Sequence, residues 1–335
     1  MGRSRPLGSR EWSLVLPLLW GFACDPAEDT AAPTDAELFA CASPPASGSV
    51  GETDGPFVDI SLGAYAACGL DAEGNTTCWG CANDDQPKER FRVLDLEYYH
   101  ACGITTDGEA RCWSWGPYDF PAEAAVVPEG DWADVSVGFA HTCWLSAAGE
   151  ITCVGDNSEG QCDVPDGGPW AQVSAGNEHT CAVDVNGCGT CWGNDIAGET
   201  QLPEDWEACS IAQIDAGGHR TCFRSTSGAG ECRGGTMDDS DFPPWYATGV
   251  TRDVSAGANL SCAIADGQFT SCDGNFPFVC STEELPPGTA VDSAIYAVCA
   301  LLGNGETSCW GGGFPASGGG DPPCNRGKAA AVFGG

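Results

Sequence analysis

The sequence predicts an all-β fold: a seven-bladed β-propeller with one cross-strand disulfide per blade. Three observations predict it. A pair of cysteines ten positions apart recurs seven times, as Cys68/Cys78, Cys102/Cys112, Cys143/Cys153, Cys181/Cys191, Cys222/Cys232, Cys262/Cys272 and Cys299/Cys309. The first members of these pairs follow one another at intervals of 34, 41, 38, 41, 40 and 37 residues, and periods near 40 mark propellers and solenoids. Turn-forming residues lie between the two members of a pair, as in Asp71-Ala72-Glu73-Gly74, Asp107-Gly108, Asn186-Gly187, Asp266-Gly267 and Asn304-Gly305, which is hairpin chemistry.

Each element follows from that pattern. In the fourth repeat Val173 to Ala175 begins a strand and Gly176 interrupts it. Thr180 to Asp184 is a second strand, and a third ends in Cys191-Trp192-Gly193. The 3.6-residue period of an amphipathic helix is missing from the repeats. Two residues ten apart around a central turn face each other across a hairpin, within the reach of a disulfide. Closing so short a loop contributes somewhat under about 3 kcal/mol, which matters in a chain whose 47 glycines lose much conformational entropy on folding.

The termini read differently. Arg3, Arg5 and Arg10 precede a ten-residue apolar run, Leu14 to Ala23, too short to span a bilayer and typical of an export signal over residues 1–23. Cys24 follows Ala23 as in a bacterial lipoprotein signal, although Gly21 stands where that pattern has Leu. Cys24 is therefore the candidate lipidation residue, with plain secretion as the alternative. Residues 24–56 are Pro-rich and read as a tether, residues 57–313 as the repeats, and residues 314–335 as an irregular Gly/Pro-rich tail. Twenty-two cysteines fit an oxidising, extracytoplasmic compartment: an outer-surface or periplasmic lipoprotein, otherwise a secreted protein.

The chain has 48 acidic residues against 13 Lys plus Arg, a formal net charge of -35. Such a surface repels phosphate backbones and excludes nucleic acid as a partner.

Catalytic sets do not emerge. His100, His141 and His179 share one slot, two residues before the first cysteine; His219 is one residue off that slot, which holds Arg220. A recurring slot implies one recurring structural job. Cys78-Trp-Gly-Cys81 and Cys188-Gly-Thr-Cys191 resemble metal or redox motifs, but Cys78 and Cys191 already belong to hairpin pairs. Asp238-Asp239-Ser240-Asp241 lacks the glycine and distal glutamate of a calcium loop. No metal, cofactor or enzymatic activity is expected. The pairing of Cys41, Cys81, Cys162, Cys188, Cys209, Cys280 and Cys324 stays open, with a Cys41–Cys324 bridge across the propeller ends as one candidate. Trp79, Trp113, Trp192 and Trp310 share one slot, and Trp132 and Trp170 another; these read as blade packing. Trp115, Tyr118, Trp144, Trp206 and Trp245 fall outside those slots and are the candidate loop anchors for a binding partner.

The run Gly-x-x-His-Thr-Cys-Ala through Gly-x-x-x-Cys-Trp-Gly-x-Asn resembles the repeat of the regulator of chromosome condensation family. Gly176 to Cys181, Cys191 to Asn194 and Gly155-Asp156-Asn157-Ser158-Glu159-Gly160-Gln161 carry the resemblance most closely. It extends over residues 57–313 and includes the superfamily of β-lactamase inhibitor protein II, of which this chain would be a bacterial secreted or lipoprotein member. Arg233 and Asp273 replace the repeat's Trp, and the seventh repeat lacks the Gly-x-x-His start. The resemblance implies a seven-bladed propeller. The function expected is a non-enzymatic extracytoplasmic scaffold, monomeric, presenting loops to a protein or glycan. The alternatives are an inhibitor of a secreted or periplasmic enzyme, a guanine-nucleotide exchange factor by family analogy, and a hydrolase built on carboxylates.

Overall fold

The computed structural model describes residues 56–311 except 65, 81–87, 99, 115–122, 208, 236–244, 248, 259, 267, 275–287 and 296. Cys24, Cys41, Cys81, Cys280, Cys324, Trp115, Tyr118 and the acidic run 238–241 lie outside the described residues, as do the segments read as signal and tail and all of the tether but Pro56.

Among the described residues every regular element is a strand. The strands group in chain order into seven antiparallel sheets. Sheet 1 is β1 (Phe57–Leu62), β2 (Ala66–Asp71) and β3 (Thr76–Gly80). Sheet 2 is β4 (Phe91–Glu97), β5 (His100–Thr105) and β6 (Ala110–Ser114). Sheet 3 is β7 (Trp132–Val137), β8 (His141–Ser146) and β9 (Ile151–Gly155). Sheet 4 is β10 (Trp170–Ala175), β11 (His179–Asp184) and β12 (Gly189–Gly193). Sheet 5 is β13 (Ile211–Gly217), β14 (Arg220–Ser225), β15 (Gly230–Gly234) and a short fourth strand, β16 (Trp245–Ala247). Sheet 6 is β17 (Thr251–Ala256), β18 (Leu260–Ala265) and β19 (Gln268–Gly274). Sheet 7 is β20 (Gly288–Ser293), β21 (Ala297–Leu302) and β22 (Thr307–Gly311).

The register explains the cysteine spacing. In each sheet the first cysteine lies on the second strand, opposite its partner on the third. Cys68–Cys78, Cys102–Cys112, Cys143–Cys153, Cys181–Cys191, Cys222–Cys232 and Cys262–Cys272 are joined, with Cα atoms 4.0–4.1 Å apart. Cys299 faces Cys309 and is also disulfide-bonded. The hairpins turn on glycines in the left-handed region, such as Gly149 (φ 80) and Gly187 (φ 85), a conformation that costs other residues free energy.

Consecutive sheets join by one repeated contact. The carbonyl of a turn glycine accepts the N–H of the residue that starts the next sheet: Gly74 from Phe91, Gly149 from Trp170, Gly187 from Ile211 and Gly228 from Thr251. Gly305 of sheet 7 accepts from Phe57 of sheet 1 in the same way, at 2.9 Å. The core is distributed accordingly. Its clusters lie between adjacent sheets, and one joins Ile60, Leu62 and Ala67 of sheet 1 to Ala294, Ala297, Cys299 and Leu301 of sheet 7.

The histidine slot is a clasp between sheets. His100 Nε2 lies 3.0 Å from Thr142 Oγ1, His141 2.8 Å from Thr180, and His179 2.9 Å from Thr221. Each threonine hydroxyl donates to a carbonyl, of Ala124, Gln161 and Glu199 respectively. The histidine Nε2–H is therefore the donor to threonine, and the ring is neutral. Burial agrees: it lowers His100 to about 3, His141 to about 4 and His179 to about 3. Arg220 fills the same slot in sheet 5 and donates to Ser261, at the threonine position of sheet 6. At the other three junctions both positions are apolar: Ala66 with Ala101, Leu260 with Val298, and Ala297 with Ala67, each within one buried cluster.

Candidate functional site

The first strands of the sheets converge. The position opposite the first cysteine holds Ser61, Asp95, Ser136, Ser174, Asp215, Ser255 and Asp292 in turn. Each of these side chains bonds to the neighbouring sheet. Ser61, Ser136 and Ser174 accept the N–H groups of Leu96, Ala175 and Ala216. Asp95, Asp215 and Asp292 accept those of Val137, Ala256 and Leu62, each at 2.7 Å. Ser255 reaches Ser293 at 2.8 Å. A belt of hydrogen bonds thus runs through all seven sheets, and the Asp292–Leu62 bond links the seventh to the first.

The belt crowds acids into the space between the first strands. Burial pushes Asp95 up to about 7, with Asp215 adding to the effect while the Val137 N–H opposes it. Asp292 is held well above the usual carboxylate range by burial and then by Asp215 and Asp95. Asp215 is raised by burial, against the Ala256 N–H. These effects identify the space as a common one, since Asp95, Asp215 and Asp292 come from sheets 2, 5 and 7. Glu97 joins them: withdrawal from bulk water, then Asp95, Asp292 and Asp215, raise it well above its ordinary value.

The loops between first and second strands end beside this space. Their first tip position holds Ala64, Tyr98, Phe139, Asn177, Gly218, Ala258 and Ile295 in sheets 1 to 7. Ala64, Ala258 and Ile295 are buried together, with Tyr98 packed against them. Phe139 meets Tyr98 edge-on, ring centroids 4.5 Å apart, and is 39% exposed. The tips of sheets 6, 7, 1, 2 and 3 therefore form one apolar rim. The rest of the circle is polar: Asn177 and Gly218 occupy the tips, with Glu178 and His219 beside them. The tips hold each other, Phe139 N–H donating to Gly176 O and Asn177 N–H to Gly218 O. Asn177 Oδ1 is buried without a hydrogen-bond partner.

Of the aromatic residues singled out as anchors, Trp144 and Trp206 do not make this rim. Trp144, expected on a loop, is instead fully buried between sheets 2 and 3, 5.9 Å from Trp132 and packed with Ile104, Val135 and Val137. It follows Cys143 on β8, a position that faces the neighbouring sheet. In sheets 1 and 2 the same position is Gly69 or Gly103, where Phe57 or Phe91 takes the volume instead. That exchange of large for small hides the slot from sequence comparison. Trp206 packs against a cluster with Ile211 and Leu202 and is only partly exposed. Trp245 lies on β16. Comparing loop tips slot by slot, rather than searching for tryptophans, would have found the rim.

The remaining described cysteines are resolved. Cys188 is joined to Cys209, so the Cys188-Gly-Thr-Cys191 string holds two halves of two different bridges. This bridge ties the hairpin turn of sheet 4 to the residues entering sheet 5. Cys162 is a free thiol, pushed up to about 11 by burial and then by Asp156 and Asp163, which leaves it unreactive at neutral pH. Among the described residues no group of three or more His, Cys, Asp or Glu is arranged to hold a metal ion.

Comparison with known proteins agrees with the architecture. Residues 132–161 match the regulator of chromosome condensation (RCC1) repeat. No curated protein matches the chain. The fold is similar to the CRINKLY WD40 ectodomain of the Arabidopsis thaliana receptor kinase ACR4 (TM-score 0.62, 23% identity, covering 81% of this chain and 100% of that one). It is similar to the entire ectodomain of the Physcomitrella patens receptor kinase CR4 (TM-score 0.61, 24% identity, 78% and 75%). Prp20p of Saccharomyces cerevisiae, whose binding to Gsp1p and histones accompanies its structure, is more distant (TM-score 0.51, 15% identity, 65% and 72%). The chain thus has a propeller-like, RCC1-like fold, and its third repeat is similar in sequence to the regulator of chromosome condensation repeat.

Proposed function

We propose that the seven sheets are blades of a closed propeller, and that the protein is a non-enzymatic, extracytoplasmic scaffold binding a protein on its loop-tip face. The observation that carries this reading is the arrangement of the loop tips: Ala64, Ala258 and Ile295, distant in sequence, form a buried apolar base with Tyr98 packed against it, and Phe139, edge-on to Tyr98, is left 39% exposed. Rigid sheets presenting such loops suit recognition, and an aromatic residue set in aliphatic neighbours favours a protein over a glycan. Closure is supported by the Phe57–Gly305 and Leu62–Asp292 bonds between the last sheet and the first. The compartment is supported by the disulfides, which persist where the medium oxidises, and by the likeness to two receptor ectodomains. Within that compartment Cys24 is the proposed site of lipid attachment.

The test places a photo-crosslinking amino acid at position 139 and, as a control, at exposed Val185 in a hairpin turn. Discrete protein adducts from surface or envelope fractions, formed at 139 and not at 185, are expected. Adducts at neither position, or the same adducts at both, would overturn the reading. Binding confined to a glycan array would replace the protein partner by a saccharide.

A further inference from the structure

We infer that the Cys188–Cys209 bond is a redox latch: a dithiol reductant opens it while the hairpin bridges stay closed, and its opening loosens the seam between sheets 4 and 5. The bond lies at the hairpin-turn end of the sheets, away from the loop tips, and is independent of the proposed binding face.

The seam can be built without this bond. Cys188 closes a hairpin turn, and the same position holds Asn75, Glu109, Glu150, Ala229 and Glu306 in sheets 1, 2, 3, 5 and 7. The turn forms there without a sulfur. The N–H groups of Asn75, Glu109, Glu150 and Ala229 bond the side chain four residues before them, as Cys188 N–H bonds Asp184 at 2.9 Å. The contact that joins neighbouring sheets forms without a sulfur too. Gly74, Gly149, Gly228 and Gly305 accept the first N–H of the adjoining sheet as Gly187 accepts that of Ile211, and each is followed by a residue other than cysteine.

The other end of the bond is strained. The residue two before the first strand is Glu89 in sheet 2 and Gly130, Gly168 and Gly249 in sheets 3, 4 and 6. Gly168 (φ 83) and Gly249 (φ 94) are left-handed, and Cys209 takes the same turn at φ 59. Glycine adopts that conformation freely, whereas a cysteine is held there at a cost in free energy. Strain of this kind gathers at switch regions. Turn and linker are in close contact at this point: a Cβ on Gly187 would stand 2.8 Å from the Cys209 carbonyl oxygen.

Exposure separates this bond from the hairpin bridges. Each of those has a buried cysteine on the second strand of its sheet. In the seam bond Cys209 is exposed and Cys188 half-buried. Exchange requires a thiolate to reach a sulfur, and exposed or strained bridges are the labile ones. A thiolate of the dithiol attacks Cys209 Sγ, forming a mixed disulfide and releasing Cys188 as a thiolate that takes a proton from water. The second thiolate of the dithiol then attacks its own partner sulfur and releases Cys209, which is protonated in turn. Two electrons and two protons have passed to the protein, and the dithiol leaves as a disulfide. Freed of the bond, Cys209 leaves the left-handed region. The hydrogen bonds beside it, Ile211 N–H to Gly187 O and Thr226 N–H to Ser210 O, are the first to open.

The experiment treats the folded, oxidised full chain with graded dithiothreitol in the absence of denaturant. Freed thiols are alkylated and mapped by peptide mass, with amide hydrogen exchange followed in parallel. Cys188 and Cys209 should be alkylated at least tenfold faster than any hairpin cysteine, and exchange should accelerate at Ile211 and Thr226. A hairpin bridge that opens as early, or opening of the seam bond with no change at those amides, would overturn the latch. Two variants separate the bond from the backbone it holds. Cys188→Ser with Cys209→Ser should fold and exchange rapidly at Ile211 with or without reductant. Cys188→Ser with Cys209→Gly should fold and keep Ile211 protected, because glycine accepts the turn. Failure of both to fold, or equal protection in both, would make the bond an ordinary staple.

Discussion

Two halves of the molecule join their sheets by different chemistry. From sheet 2 to sheet 6 each junction is a polar clasp, His100–Thr142, His141–Thr180, His179–Thr221 and Arg220–Ser261. From sheet 6 through sheet 7 to sheets 1 and 2 the same two positions are apolar, Leu260–Val298, Ala297–Ala67 and Ala66–Ala101. The backbone geometry is the same in both halves. The lesson is that the junction selects the pair and not the residue: either a buried donor meets its acceptor, or neither is present. A lone polar group in this position would carry its full desolvation cost, whereas a matched pair of either kind does not.

The largest effect is expected from mixing the halves. Leu260→His places a histidine opposite Val298, putting a planar ring with an unsatisfied donor in place of an aliphatic side chain at a close-packed interface. Denaturant unfolding should show a loss of roughly 3 kcal/mol, partly recovered by Val298→Thr. No recovery would mean that the junction does not read its residues as pairs. A smaller loss, about 2 kcal/mol, is expected for Thr221→Val, which orphans the buried His179 donor and the Glu199 carbonyl. Adding His179→Leu recreates the Leu–Val junction of sheets 6 and 7, so a double-mutant cycle should give a favourable coupling. Simple addition of the two losses would break the comparison.

The smallest effect concerns what the two halves share, the belt of first-strand acids. Asp95 has a folded value near 7 against an ordinary 3.8, so the folded state holds its proton more tightly than the unfolded chain. That contribution is complete below the unfolded value and is lost as pH rises through 7. Burial holds the clasp histidines at about 3 to about 4 when folded, against an ordinary 6.5, so they oppose this trend until the pH is well above 6.5. Between pH 6.5 and 8 the three histidines together return roughly 1 kcal/mol while Asp95 gives up roughly 1 kcal/mol, so Asp95 is read as a difference: the stability of the native protein relative to Asp95→Asn should fall by roughly 1 kcal/mol over that interval. A relative stability that stays constant or rises would contradict the assignment.

The strands and bridges were legible because a disulfide fixes both a spacing and a register. Cys181 and Cys191 around Asn186-Gly187 can mean little else than a hairpin. The histidine slot was legible as structural, but its partner was not: Thr142, Thr180 and Thr221 stand next to the slot residue of their own sheet (His141, His179 and Arg220) while bonding the histidine of the preceding sheet. Contacts between repeats run at the repeat period, and a string read along one repeat does not display them. Trp144 was misread because aromatic volume moves between two strand positions from sheet to sheet. The Cys188–Cys209 bridge had no recurrence to announce it.

The shortness of the hairpin bridges also shapes how the chain can become oxidised. A chain with 22 cysteines could pair in a vast number of ways. Each hairpin partner, however, is only ten positions away, where loop closure is least costly and the local thiol concentration is highest. The search therefore divides into small, independent encounters that need no finished tertiary structure. Among the described residues sheet 4 is the exception. Cys181, Cys188, Cys191 and Cys209 compete within one stretch, and the Cys188–Cys209 bond spans two sheets. Scrambled pairings should accumulate there first, which makes this seam the natural point of action for a disulfide isomerase.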